Sequence, residues 1–285
     1  MTNDSNKDYV IEIYPSNKLL DFNLKEILSY KDLLWLLVRR DFVSAYKQTI
    51  LGPLWFVIQP LATTLVFVVV FGGIANISTD GMPQILFYLA GIIGWNYFSE
   101  VFSITSETFV HNAYIFGKVY FPRIIVPLSN VFSNLITFGV QFSLFLFIYG
   151  YYYFFQESQI YPNLTVLLIP ILVVITGGLG LGLGLIFTSL TTKYRDFTYV
   201  TGFGIQLAMY ATPIIYPTSL VEGNMKLLIL ANPMSSVIEA FRYAFLGVGS
   251  FSWISLVYSF IVMLLILIVG FIVFNKVEKN FIDTV

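Results

Sequence analysis

Ser189–Val200 reads SLTTKYRDFTYV and separates two long apolar runs, at about 164–190 and about 198–217. Lys193, Arg195 and Asp196 gather at this one point in a chain that is otherwise poor in charge. Charged groups are expensive inside a bilayer, so if both runs cross a membrane this stretch is a turn in water between two crossings. The composition supports the crossing. Of 285 residues 57% are hydrophobic and 18% aromatic, and 11% are charged, where a soluble domain carries about 25%.

A spanning helix needs roughly 20 predominantly apolar residues. Six stretches reach that length: about 54–76, 84–108, 126–154, 164–190, 198–217 and 252–274. Backbone in lipid must satisfy its own hydrogen bonds, which leaves helices or closed barrels, and none of these runs alternates as barrel strands do. The expected fold is therefore all-α and polytopic, with six transmembrane helices. Of the 15 Lys and Arg, all but Lys226 and Arg242 fall before the first span, in the second-to-third and fourth-to-fifth loops, or after the last span. That alternating basic bias places both termini in the cytoplasm. A net charge of −1 gives no support to a nucleic-acid partner. The absence of Cys excludes disulfides, thiolate catalysis and Cys-ligated metal. Residues 1–23 are polar, so no cleavable signal peptide is expected.

Two regions follow from this reading. Residues 1–50 form a cytoplasmic N-terminal part, with a mobile polar tail over about 1–20 and then an amphipathic helix. Leu24, Ile27, Leu28, Leu34, Trp35, Val38 and Phe42 recur at helical spacing, while Lys25, Lys31, Arg39 and Arg40 supply a basic face. Asn23 with Glu26 resembles a helix-start box. Such a helix lies parallel to the membrane in the headgroup plane, or packs as an ordinary cytoplasmic helix. Residues 51–285 form the six-helix domain, and Pro53 suits the first turn of the first span. Within it, about 218–251 is apolar yet broken at Asn232-Pro233 and at Gly247 and Gly249, which reads as two short outer re-entrant helices before the last span.

GGLGLGLG (177–184) has the glycines of a phosphate loop but neither the preceding strand nor the Lys-Ser/Thr. Its small residues four apart, Gly178/Gly182 and Gly180/Gly184, instead let helices approach closely. No G-x-x-x-x-G-K-[ST] occurs in the sequence, so ATP-driven work needs a second polypeptide. Glu100, Glu107 and His111 lie seven and four apart on roughly one helix face and are the residues available for a proton relay, or for structural hydrogen bonding. His111 alone makes no metal site. Among many mid-span aromatics, Phe67, Phe71, Trp95, Tyr97, Phe203 and Tyr210 suit a sugar path, because aromatic faces stack on sugar rings; lipid contact or packing is the plainer role for each. Glu239 and Arg242, three apart, form either an ion pair or part of a gate.

Four segments then occur in order: RRDFVSAYKQTILGPLWFVIQPL (39–61), GKVYFPRIIVPLS (117–129), TKYRDFTYVTGFGIQLAMYATPIIYP (192–217) and NPMSSVIEAFRYAFLG (232–247). Together they resemble the membrane subunit of type-2 ABC exporters for polysaccharides, the family of O-antigen, capsule and teichoic acid permeases, over about 25–275. The resemblance implies a homodimeric six-helix permease in the bacterial inner membrane, bound to two copies of a separate P-loop ATPase. ATP and Mg would be held by that partner, with no cofactor, catalytic residue or metal on this chain. It also implies that the regions about 24–45 and 108–124 meet the ATPase, with Arg39, Arg40, Asp41, Lys118 and Arg123 in them. Lys193, Tyr194, Arg195 and Asp196 would form a cytoplasmic hinge, and Asn232, Pro233, Glu239 and Arg242 an outer gate. The implied cargo is a polysaccharide, and because aromatics rather than charges line the candidate path, a neutral or weakly charged glycan carried on a lipid fits best. The rival readings are an exporter of another cargo (teichoic acid or a small molecule), a proton-driven secondary transporter and, more remotely, a membrane enzyme.

Overall fold

The computed structural model describes residues 24–47, 49–156, 160–194 and 196–281. Eleven α-helices run through them, and no strand occurs among the described residues. They are α1 (Leu24–Ser29), α2 (Lys31–Ser44), α3 (Trp55–Phe67), α4 (Gln84–Ser106), α5 (Thr108–Phe116), α6 (Ile125–Phe155), α7 (Ile169–Lys193), α8 (Phe197–Tyr210), α9 (Gly223–Ala231), α10 (Pro233–Leu246) and α11 (Trp253–Phe281). Pro53 stands in the first turn of a 3-10 segment, Gly52–Leu54, that leads into α3, because its missing N–H costs nothing there. The end of α3 continues as a π-helix over Val68–Ile74. The polar tail at 1–20 and the Asn23 half of the helix-start box lie outside the described residues.

Five segments are long and apolar enough to cross a membrane: Gly52–Ile74, Gln84–Ser106, Ile125–Phe155, Leu164–Lys193 and Trp253–Glu278. The run expected as a further span at 198–217 is different. Its helix, α8, stops at Tyr210 after 14 residues, about 21 Å at 1.5 Å per residue. Pro213 and Pro217 follow, each lacking an N–H and clashing with a continued helix, and the chain turns over 211–217 instead. Apolar length alone cannot report such a stop. The 218–251 stretch does form two helices, α9 and α10, parted at Asn232-Pro233 and ended at Gly247, whose φ of 70° is the left-handed cap that glycine adopts most readily.

At the centre stands α4, with Leu86, Phe87, Leu89, Ile93, Val101 and Phe102 buried. It packs against α3, α6, α7 and α10, while α11 lies on the far side of α7. The glycine run of α7 explains how three helices come so close. A methyl group at Gly180 would stand 2.9 Å from the Phe98 carbonyl, and one at Gly184 would meet Phe102 and Thr105, both on α4. On the opposite side, a methyl at Gly182 would stand 2.9 Å from the Leu267 N–H, and one at Gly178 would strike Met263, both on α11. The two small-residue pairs expected from the sequence thus serve two neighbours, one stripe each. Without a hydrophobic drive between helices in lipid, backbone proximity of this kind supplies the dispersion contacts that hold the bundle.

The N-terminal amphipathic helix is packed on one side and open on the other. Leu37 and Val38 are buried as α2 packs on α6, whereas Leu28, Trp35 and Leu36 are each more than half exposed.

Candidate functional site

Two clusters of polar side chains stand out, one at each end of the bundle. The first is built on α10. Asn232 caps this helix by accepting from the Met234 N–H at 3.0 Å, and its amide donates to Thr212 Oγ1 at 2.8 Å. Pro233 occupies the first turn, and Ser259 Oγ of α11 donates to its carbonyl at 2.9 Å. Nine residues further on, Arg242 is fully buried. Its guanidinium donates to the carbonyls of Phe87 (3.2 Å), Pro213 (2.6 Å) and Ile214 (2.7 Å), and lies 3.5 Å from the centroid of the Phe87 ring. Glu239 faces it at 3.4 Å, and the other Glu239 oxygen accepts from Ser250 N and Oγ. Asp80 accepts from Ser219 Oγ nearby.

The ion pair expected between Glu239 and Arg242 therefore exists, but it is the longest of the hydrogen bonds that Arg242 makes. Carbonyls of two other elements hold the charge. A guanidinium offers five donors in a fixed fork, which suits it to collecting several carbonyls where a lysine could not. Arg242 thereby ties α10 to α4 and to the 211–217 turn, while Glu239 ties it to the segment before α11. No spacing rule could have named Phe87, Pro213 or Ile214 as the partners, since backbone carbonyls carry no sequence signature. The available signal was an arginine in an apolar stretch, which must find acceptors.

The second cluster is at the ends expected to be cytoplasmic. Arg40 pairs with its neighbour Asp41 at 2.7 Å, and Asp41 also accepts from Ser129 Oγ of α6 at 3.4 Å. Arg39 is exposed. Lys118 is exposed in the turn after α5, but Arg123 is not: it is 9% exposed, donates to the Glu278 carbonyl at 3.0 Å and lies against the rings of Phe109 and Phe116. Burial lowers the Arg123 pKa from its ordinary value, and the Glu278 carboxylate opposes that. Arg123 thus fastens the turn before α6 to the end of α11. Lys193 lies over the ring of Tyr194 at 5.0 Å, with Tyr194 and Asp196 exposed. Arg195 lies outside the described residues.

The six aromatics divide. Phe67, Trp95 and Tyr97 are buried within the chain, and Tyr97 packs on Phe138. Phe71 is partly buried against Phe67. Phe203 and Tyr210, on α8, are 64% and 51% exposed. The three acid-base residues of the expected relay divide too. Glu107 and His111 pair with each other one helical turn apart, and Glu100 is exposed with no partner among the described residues.

A helical bundle with five membrane-length segments, no nucleotide loop in its sequence and a polar cluster at each end fits a transport subunit. Residues 32–246 match the model of the ABC-2 type transporter membrane family. The chain belongs to that family. The match runs from α2 to the last residue of α10, so it takes in most of both clusters, with Ser250, Ser259 and Glu278 beyond its end. Similar proteins include an O-antigen export system permease protein RfbA of Klebsiella pneumoniae, 30% identical over 271 residues, which cover 93% of this chain and 99% of the relative. A second Klebsiella pneumoniae protein of that name is 28% identical over 270 residues, with the same coverage. One from Myxococcus xanthus is 27% identical over 227 residues, covering 78% of this chain and 83% of the relative. As an ABC-2 family member, the chain is a permease rather than an enzyme in its own right.

Proposed function

We propose that this chain is the transmembrane subunit of an ATP-driven exporter that carries a lipid-linked, O-antigen-like polysaccharide out of the cytoplasm. The observation that carries the reading is the near full-length similarity to permeases named for O-antigen export, in a chain whose sequence holds no P-loop. ATP and Mg belong on two copies of a separate P-loop ATPase, and two copies of this chain form the pore. The setting is a bacterial inner membrane with both termini cytoplasmic, and α8 with the following turn serves as the sixth crossing.

In this reading the exposed Arg39 and Lys118, beside α2 and α5, receive the ATPase. Asp41 and Arg123 act one step inward, passing its movement to α6 and α11 through Ser129 and Glu278. Lys193 to Asp196 form the hinge between α7 and α8. The outer end, braced by Asn232, Glu239 and Arg242, resists opening until α4 and the 211–217 turn move together. Nucleotide shifts the balance between two packings only by the difference in its affinity for them. Phe203 and Tyr210, uncovered on α8, are the aromatics placed to meet a glycan outside the chain's own core. A proton-driven mechanism draws less support, because Glu107 and His111 satisfy each other.

Purification of the tagged chain from its native membrane in mild detergent tests the reading. The expected result is a co-purifying P-loop protein, with ATP hydrolysis in the complex and none in the isolated chain. A stable lone chain that moves glycan with no ATPase present would refute it.

A further inference from the structure

The uncovered faces of the spanning helices differ in kind. Along α11 the exposed residues include Ile254, Val257, Ile261, Leu264, Leu265 and Ile268, which lipid can cover. Along α4 nearly every side is packed, and the side left open is mostly polar, with Ile104 the one apolar residue exposed beside it, a turn beyond Glu100. Asn96, Ser99, Glu100 and Ser103 are half-buried or exposed and fall within an arc of about 100° at 3.6 residues per turn. The strip continues past the helix end into the Glu107–His111 pair. Residues 84–106 contain no Lys, Arg or His, so nothing on α4 offsets the Glu100 carboxylate. Glu100 is six residues before Ser106, about 9 Å inside the end of a membrane-length helix. Lipid cannot hydrate a carboxylate at that depth, and such groups face water or a protein partner.

Resting on the exporter reading, we propose that this strip is the wet wall of the cargo path and that Glu100 sets its charge rule. Its hydroxyls, amide and carboxylate exchange hydrogen bonds with sugar hydroxyls in place of water. Uncompensated carboxylates along that path, one from each copy, admit neutral or amino-bearing glycans and repel chains dense in phosphate, sulfate or carboxylate. The specificity is therefore for the charge class of the glycan. It does not come from a pocket for one sugar.

The absence of Cys in the natural sequence makes the test direct. Ser99→Cys and Ser103→Cys each introduce a single thiol, and Ile261→Cys is the lipid-facing control. Native membranes carrying each variant are treated with a trimethylammonium-ethyl or a sulfonato-ethyl methanethiosulfonate. Labelling at 99 and 103, but not at 261, is expected. At about 6 Å through water a unit charge alters the local concentration of a monovalent ion about threefold, in opposite senses for the two reagents. The cationic-to-anionic rate ratio at 103, normalised to a free thiol, is then about tenfold, and Glu100→Gln returns it to about one. Absence of labelling at both positions would show a strip kept dry by a second copy or by lipid, and would overturn the proposal. A ratio unchanged by Glu100→Gln would overturn the charge rule. The labelling needs neither cargo nor ATP, so the co-purification test can fail while this result stands, and the reverse.

Discussion

Replacement of Arg242 by Ala is the most searching perturbation of the outer cluster. The guanidinium is fully buried and satisfies the Pro213 and Ile214 carbonyls at 2.6 and 2.7 Å. Those two carbonyls lie in an irregular turn, so they lose their donors outright. Each buried acceptor left unsatisfied costs about 1–3 kcal/mol. The Phe87 carbonyl suffers less, because it sits inside α4 and also serves the helix ladder. Glu239 keeps Ser250 but loses its counter-charge, a further cost of the kind seen when one member of a buried pair is removed. Allowing for partial relaxation, the sum is about 3–6 kcal/mol, which at about 2–4 °C per kcal/mol lowers the melting temperature by roughly 6–24 °C. Thermal unfolding of the detergent-purified chain, followed by tryptophan fluorescence, reads this. Arg242→Lys should recover only part of the loss, since one ammonium cannot reach three carbonyls on two elements. Glu239→Gln should cost much less than Arg242→Ala, because its contact at 3.4 Å is the weakest of the set. If Arg242→Ala melts within about 2 °C of the natural chain, or Glu239→Gln is the more damaging change, the carbonyl harness does not hold the outer helices.

Gly182→Leu should disrupt the α7–α11 contact, seen as aggregation in size-exclusion chromatography, whereas Gly139→Ala, where an added methyl meets nothing within 4 Å, should behave as the natural chain. Arg123→Ala should free the end of α11: amide exchange over 274–278 should quicken about tenfold, while exchange at α10 is unaffected. Tyr97→Ala, in the core, should destabilise by about 3 kcal/mol or more. Phe203→Ala, on an exposed face, should leave thermal stability unchanged and slow export; export equal to the natural chain's at equal abundance would remove Phe203 from the path.

Long apolar runs were legible because the cost of burying polar backbone in lipid forces both length and composition, whatever the packing. The glycine stripes of α7 were legible for a related reason: only a missing Cβ lets backbones touch, and the spacing itself marks the face. The stop of α8 at Tyr210 was not. Apolarity continues through 217, and only the turn made by Pro213 and Pro217, braced by an arginine 25 or more residues away, shortens the helix.

The role of single residues was the least legible part. Seven-and-four spacing placed Glu100, Glu107 and His111 on one side of a helix, but rotation of that side toward core, lipid or water depends on every neighbour at once. Trp95 and Tyr97 turned inward while Glu100, three residues beyond Tyr97, stayed uncovered. By itself the sequence determined a membrane-embedded helical chain, its basic-end bias and its lack of a P-loop motif, since these are sums over composition and motif. Tertiary structure alone decided which carbonyls hold Arg242, which end of α11 Arg123 fastens, and which polar strip is left open, because such contacts join residues far apart in the chain through backbone atoms that every residue shares.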